Sequence, residues 1–181
     1  MILTLLNTLT ADGDDELDFT SGIDSTYDEY MFVFTDINPA TDQQNFEFQV
    51  NATDASGYNE NITSTFIRQY MQSSNNDANG PDYNAGSDQD NDDAAFQNLN
   101  ETGQLGSDAD ECLAGIMHLF SPASTTYVKH FYATTNESRY SAGLSNAYIS
   151  GYINDTTAID DVRFKMSSGA FDGVIQMYGV A

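Results

Sequence analysis

Two short stretches constrain the fold of this chain more than anything else in it. Phe46, Phe48 and Val50 alternate with Glu47 and Gln49, and Val162, Phe164 and Met166 alternate with Arg163 and Lys165. Successive side chains of a strand point to opposite faces, so each stretch has one dry and one wet side. Nowhere does the 3.6-residue apolar recurrence of an amphipathic helix appear, nor the strand–helix alternation that builds a parallel sheet.

Read in order, the chain predicts strands over 2–9, 16–20, 29–38, 45–51, 62–71, 112–120, 126–134, 145–153, 162–166 and 174–180, with one short strand near 94–99. The run 29–38 is apolar on both sides and reads as a central strand covered on each face. Asp12-Gly13-Asp14-Asp15, Asn38-Pro39-Ala40-Thr41-Asp42 and the stretch 136–143 read as turns or loops. Ser/Gly/Asp-rich residues 167–173 read as the turn that joins 158–166 to 174–180 into a terminal strand pair. About nine to eleven short strands must curl into two packed layers, so the expected fold is all-β: an antiparallel β-sandwich of jelly-roll type. A length of 181 residues fits a single domain over 1–181. Residues 73–110 are dense in Asn, Asp, Gly and Ser and read as a polar surface excursion, the place to expect contacts to a neighbour.

Charge excludes whole classes of function. There are 28 acidic residues against five basic ones, a formal net charge of -23. Such a field repels phosphate, which argues against nucleic acid and against anionic membrane surfaces. The apolar start of the chain, 1–6, has no basic leader, is too short to span a bilayer, and reads as a strand. Cys112 is the sole cysteine, so neither an intrachain disulfide nor a cysteine-based zinc site can form, and it reads as a small buried hydrophobe. Five Asn-x-Ser/Thr sequons would matter only in a secretory pathway that glycosylates them.

Candidate chemistry is sparse. Asp88, Asp90 and Asp92 stand at alternate positions, as in a calcium loop, but the glycine and glutamate of an EF-hand are missing. A solvated loop is the plainer reading and Ca2+ the sharper one; no other cofactor is indicated. His118 and His130 each sit inside an expected strand without a second nitrogen or sulfur ligand nearby, which fits a satisfied or interface histidine better than a metal site or general base. Nothing selects a carboxylate pair for glycoside hydrolysis, and no nucleophile elbow, phosphate loop or dinucleotide fingerprint is present. No catalytic residue is therefore assigned. The five cations are Arg68, Lys129, Arg139, Arg163 and Lys165. They either pair with local acids or meet acids of a symmetry-related subunit, which makes Arg163, Lys165, Lys129 and His130 the interface candidates.

Several motifs carry a resemblance. Phe19-Thr20-Ser21-Gly22-Ile23-Asp24-Ser25-Thr26-Tyr27, Asp36-Ile37-Asn38-Pro39-Ala40-Thr41-Asp42, Leu119-Phe120-Ser121-Pro122, Thr126-Tyr127-Val128-Lys129-His130-Phe131, Phe164-Lys165-Met166-Ser167-Ser168-Gly169 and Met177-Tyr178-Gly179 together resemble a family of small, mostly uncharacterised proteins of marine tailed bacteriophages. The matches span about Leu5 to Val180 and thin out over 73–110. What the resemblance implies is a virion structural protein: a capsid decoration subunit (cement or head-fibre) or a tail-appendage subunit on the outer surface of the particle, assembled in host cytoplasm. It carries over no catalytic or binding residue. A homotrimer that contacts other virion proteins through Tyr/Phe-rich sheet edges is the expected state. The alternative is a tail-fibre module that binds a host glycan through Tyr, Asn and Asp on loops such as 73–110, and a polysaccharide hydrolase is the remote third.

Overall fold

The structure, a computed structural model, describes residues 2–73, 77–90 and 94–181. Twelve strands are formed, in chain order β1 (Leu3–Asp14), β2 (Glu16–Phe19), β3 (Glu29–Pro39), β4 (Phe46–Ala52), β5 (Ile62–Gln72), β6 (Asp77–Tyr83), β7 (Gln97–Asn98), β8 (Leu113–Phe120), β9 (Lys129–Ser138), β10 (Gly143–Ile153), β11 (Ile159–Met166) and β12 (Phe171–Val180). They make two antiparallel sheets, one of eight strands in the order β1-β12-β3-β8-β9-β10-β5-β6 and one of four in the order β2-β11-β4-β7. The antiparallel β-sandwich expected from the alternation is what the chain forms. Every strand of the small sheet is entered from the large one and left back to it, so the chain winds repeatedly between layers.

Burial alternates as the sequence dictates. Phe164 on β11 is the hub of the core, with ring centroids 5.3 Å from both Phe32 and Phe34 on β3, 5.9 Å from Phe46, 6.1 Å from Phe19 and 6.4 Å from Phe48. All six rings are fully buried or nearly so. Each contributes about 1.5–3 kcal/mol by leaving water, and edge-on contacts add to that.

The small sheet lies over only part of the large one. Beneath β9, β10 and β5 the inner layer mixes buried apolar side chains such as Phe66, Phe131 and Ile149 with polar ones, and residues of the expected surface excursion supply the polar part. Gln97, Asn98, Asn100 and Glu101 are buried. Ser64 Oγ donates to Gln97 Oε1 at 2.5 Å, Ser145 Oγ to Glu101 Oε2 at 3.0 Å, and Asn100 Nδ2 to Glu137 Oε2 at 2.8 Å. Residues 97–101 of the excursion are thus core, and the polar composition there reflects hydrogen bonding inside the protein rather than solvation alone.

Three local expectations are corrected. The terminal strands are not a hairpin: β11 pairs with β2 and β4 in the small sheet, β12 with β1 and β3 in the large one. Turn chemistry is the same for a hairpin and for a corner between layers, and Gly169 with φ 74° serves the corner. The stretch 136–143 is mostly strand, since β9 runs on to Ser138 and β10 begins at Gly143. A Cβ on Gly143 would stand 2.5 Å from the Met71 carbonyl oxygen, so this tight β10–β5 approach requires glycine. Finally, β1 runs as far as Asp14, with a register shift between Asp12 and Asp14 and a bend at Asp15 before β2, and β6 pairs with β5 inside the excursion. Cys112 falls just before β8 and is half-buried, with burial pushing its thiol pKa up.

Candidate assembly surface

The outer faces of the two sheets follow from register. Across the large sheet, Tyr178, Met31, His118, Tyr132, Ser150 and Thr65 fall opposite one another in one row. Gln176, Val33, Ile116, Thr134, Tyr148 and Ile67 make the next row. Neither row contains a charged residue other than, on protonation, His118. Strands β8 and β10 hold no Asp, Glu, Lys or Arg at all. Where the large sheet does carry charge on described side chains, Glu137, Arg68, Asp82 and Lys129 point inward, while Asp12, Asp14, Glu29, Asp36 and Asp172 lie at or near strand ends. Most of the exposed large hydrophobics of the chain belong to this face, including Leu5, Ile67, Met71, Tyr83, Tyr132 and Tyr148.

Near its centre, His118 Nδ1 lies 2.5 Å from Glu29 Oε1, and the imidazole stacks on Tyr132 with centroids 4.5 Å apart at 17°. Beside it the face is notched. On β10 the small Ser150 sits between the outward rings of Tyr148 and Tyr152, and its Oγ is 3.0 Å from Thr65 Oγ1 on β5. Beneath, Gly151 lets the Phe131 ring lie against β10, since a Cβ there would come within 2.8 Å of it. The depression walled by Tyr132 and Tyr152 holds about 430 Å³ and passes Phe120 and His130 into a second one of about 500 Å³ beside Thr126, Tyr127 and Thr156.

The outer face of the small sheet is the opposite. Arg163 Nε and Nη2 donate to the two Asp18 carboxylate oxygens at 2.7 and 2.6 Å, and Nη1 meets Glu16 Oε2 at 2.7 Å. Lys165 Nζ is 3.8 Å from Glu47 Oε2. Tyr58 caps the Arg163 guanidinium at 4.2 Å and Phe96 caps the Lys165 ammonium at 4.6 Å. Burial, with Asp18 and Asp161 nearby, pushes the Tyr58 phenol up to about 12.

These contacts place the residues singled out in the sequence. Arg163 and Lys165 share a face as expected, and local acids occupy both. Lys129 is buried, its Nζ donating to the backbone carbonyls of Asp155, at 3.2 Å, and Thr157. Burial lowers its pKa against the pull of Asp155 and Glu60. Arg68 pairs with Asp82 at 3.3 Å and with Glu101, and Arg139 lies 3.8 Å from Glu101 while donating to Gln104 Oε1. All five cations are engaged within the chain. His130 alone of the interface candidates lies on the uncharged face. Asp88 accepts a hydrogen bond from the Tyr83 hydroxyl, Asp90 is engaged as well, and Asp92 lies outside the described residues. Among the described residues no group of three or more His, Cys, Asp or Glu side chains could hold a metal ion.

Tyr132, Tyr148, Tyr152 and Ser150 escaped notice in the sequence. The signal was there as an absence: 113–120 and 143–153 lack charge in a chain that is otherwise full of acids.

No protein-family model matches the chain, and no curated protein does. A structural-genomics crystal structure of unknown function from Bacteroides ovatus is similar over 80% of this chain and 46% of that one, at 6% identity and a TM-score of 0.21. The chain thus spans about half of that protein's length, and a likeness of this size carries no argument.

Proposed function

We propose that the protein is a structural subunit on the outside of a tailed-phage particle, a capsid decoration or tail-appendage subunit that works by packing against copies of itself and against other virion proteins. One observation carries this reading. A chain of net charge -23 has cleared charge from the outer face of its larger sheet and left aromatic and aliphatic side chains there. Like-charged copies repel elsewhere, so among the described residues this is the broad surface across which they can meet without burying unpaired carboxylates. An exposed apolar area of this extent on a soluble domain marks a contact site. The virion setting rests on the motifs that resemble the marine phage family. The engaged cations support the same view, since no unpaired Lys or Arg is offered to nucleic acid or to an anionic lipid.

Size-exclusion chromatography with light scattering tests the reading. A trimer at micromolar concentration is expected; a monodisperse monomer would overturn it. A particle reconstruction that finds this chain in an outer shell or tail ring tests the setting.

A further inference from the structure

We propose that the notch over Ser150, walled by Tyr132 and Tyr152, is a binding site for a neutral saccharide, a pyranose unit or a short run of them without carboxylate, sulfate or phosphate. The proposal is independent of the assembly reading. The notch lies toward the β5 side of the face and at the ends of β8 and β10, leaving β1, β12 and β3 for a neighbouring copy.

The argument starts from spacing. Outward residues on β10 are two apart, about 7 Å along the strand. Tyr152 therefore stands about 7 Å along the strand from Ser150, and the depression between them leaves room for a sugar against the Tyr152 ring. Tyr132 on the adjacent β9 forms the back wall, and Ser150 and Thr65 pair their hydroxyls on the floor. Tyrosine rings present a negative face to the weakly positive C–H groups on one side of a pyranose. Hydroxyls that both donate and accept match the ring's own hydroxyls at the edges. A pocket mostly aromatic, with a few convergent polar groups, is the usual build of a small-molecule site.

Charge then selects the class. No Asp, Glu, Lys or Arg lines either depression. The absent carboxylates leave nothing to hold a cation. With no Lys or Arg there and His130 the sole basic side chain lining the groove, the field of the whole molecule disfavours sialic acids, uronic acids and sulfated sugars. The continuation past His130 toward Tyr127, which is 72% exposed, gives the groove length for more than one sugar unit. The site belongs to the face of the sheet, not to residues 73–110, where the sequence pointed for glycan recognition.

The test is titration of the intact protein, followed by NMR chemical shifts, with maltose, cellobiose and lactose as probes and sialyllactose as the anionic control. At least one neutral disaccharide is expected to bind in the millimolar range and to move tyrosine and Ser150 resonances, with sialyllactose silent. Tyr152→Ala should weaken binding about tenfold or more. Ser150→Tyr, which fills the notch with a solvent-facing ring and keeps the strand, should abolish it. Val33→Asp, placed in the middle of the proposed contact face, should leave it unchanged even where it dissociates the oligomer. No shift with any neutral sugar, equal binding of sialyllactose, or binding that survives Ser150→Tyr would each overturn the site.

Discussion

The two outer faces of this sandwich are built by the same alternation and put to opposite use. On the small sheet, every outward cation has its acid directly across the strand and an aromatic ring above it: Asp18, Glu16 and Tyr58 for Arg163, Glu47 and Phe96 for Lys165. On the large sheet the corresponding positions hold Met31, Val33, Ile116 and Gln176. The charged face is closed upon itself and offers a partner little beyond exposed pairs, each contributing about 0–1 kcal/mol. The uncharged face has everything still to gain from being covered. Position of charge, rather than its amount, separates an inert surface from an adhesive one.

That contrast can be broken from several sides. The largest effect should come from the ring that holds both faces back to back. Phe164→Ala removes the hub of the aromatic core and is expected to cost about 3–5 kcal/mol, read as a drop in the urea midpoint; a loss under about 1 kcal/mol would mean the layers are not held there.

The next effect is pH-dependent and concerns the polar layer under β9 and β10. Burial, with Glu101 nearby, pushes the Glu137 carboxyl up to about 8, despite the Asn100 amide and Arg139. Between its ordinary value of 4.5 and about 8 the folded state keeps a proton that the unfolded chain releases. Its share of the stability is therefore full below pH 4.5 and lost as pH rises through about 8. Glu137→Gln should flatten the stability profile across that window and exceed the native protein by about 2–3 kcal/mol above it. Parallel profiles for the two proteins would contradict a protonated Glu137.

Smaller again is the effect of one charge on the large face. Val33→Asp should weaken self-association about tenfold to a hundredfold, with the circular dichroism of a β protein retained; Gln176→Glu, one strand over, should act in the same direction. On the small face, Arg163→Ala should cost only about 1–2 kcal/mol of stability and leave the oligomeric state as it was. Dissociation by Arg163→Ala would move the interface to the other side of the molecule.

Much of this was legible beforehand, for reasons that differ by region. Phe46–Val50 and Val162–Met166 name their own inner and outer sides because each outward position is charged or polar: Glu47, Gln49, Arg163 and Lys165. The same clarity misled at 97–101. Gln97, Asn100 and Glu101 look like solvent-facing residues, and only the fold shows that Ser64, Glu137 and Ser145 wait for them on the inner face of the large sheet. Pairing is the other blind spot. Strand propensity placed β11 and β12 on either side of a turn but could not say that they join different sheets, which depends on partners from β1 to β4 far away in sequence. The notch was hidden for a third reason: Tyr132 comes from β9, Ser150 and Tyr152 from β10 and Thr65 from β5, and register alone gathers them.

The salt dependence of self-association bears most directly on the difference between the faces. Sedimentation equilibrium from about 0.05 to 0.5 M NaCl should show association tightening with salt, as screening relieves repulsion between like-charged subunits while an uncharged contact loses nothing. Association that weakens over the same range would mean that the subunits meet through ion pairs, and the account of the large face as the contact surface would fail.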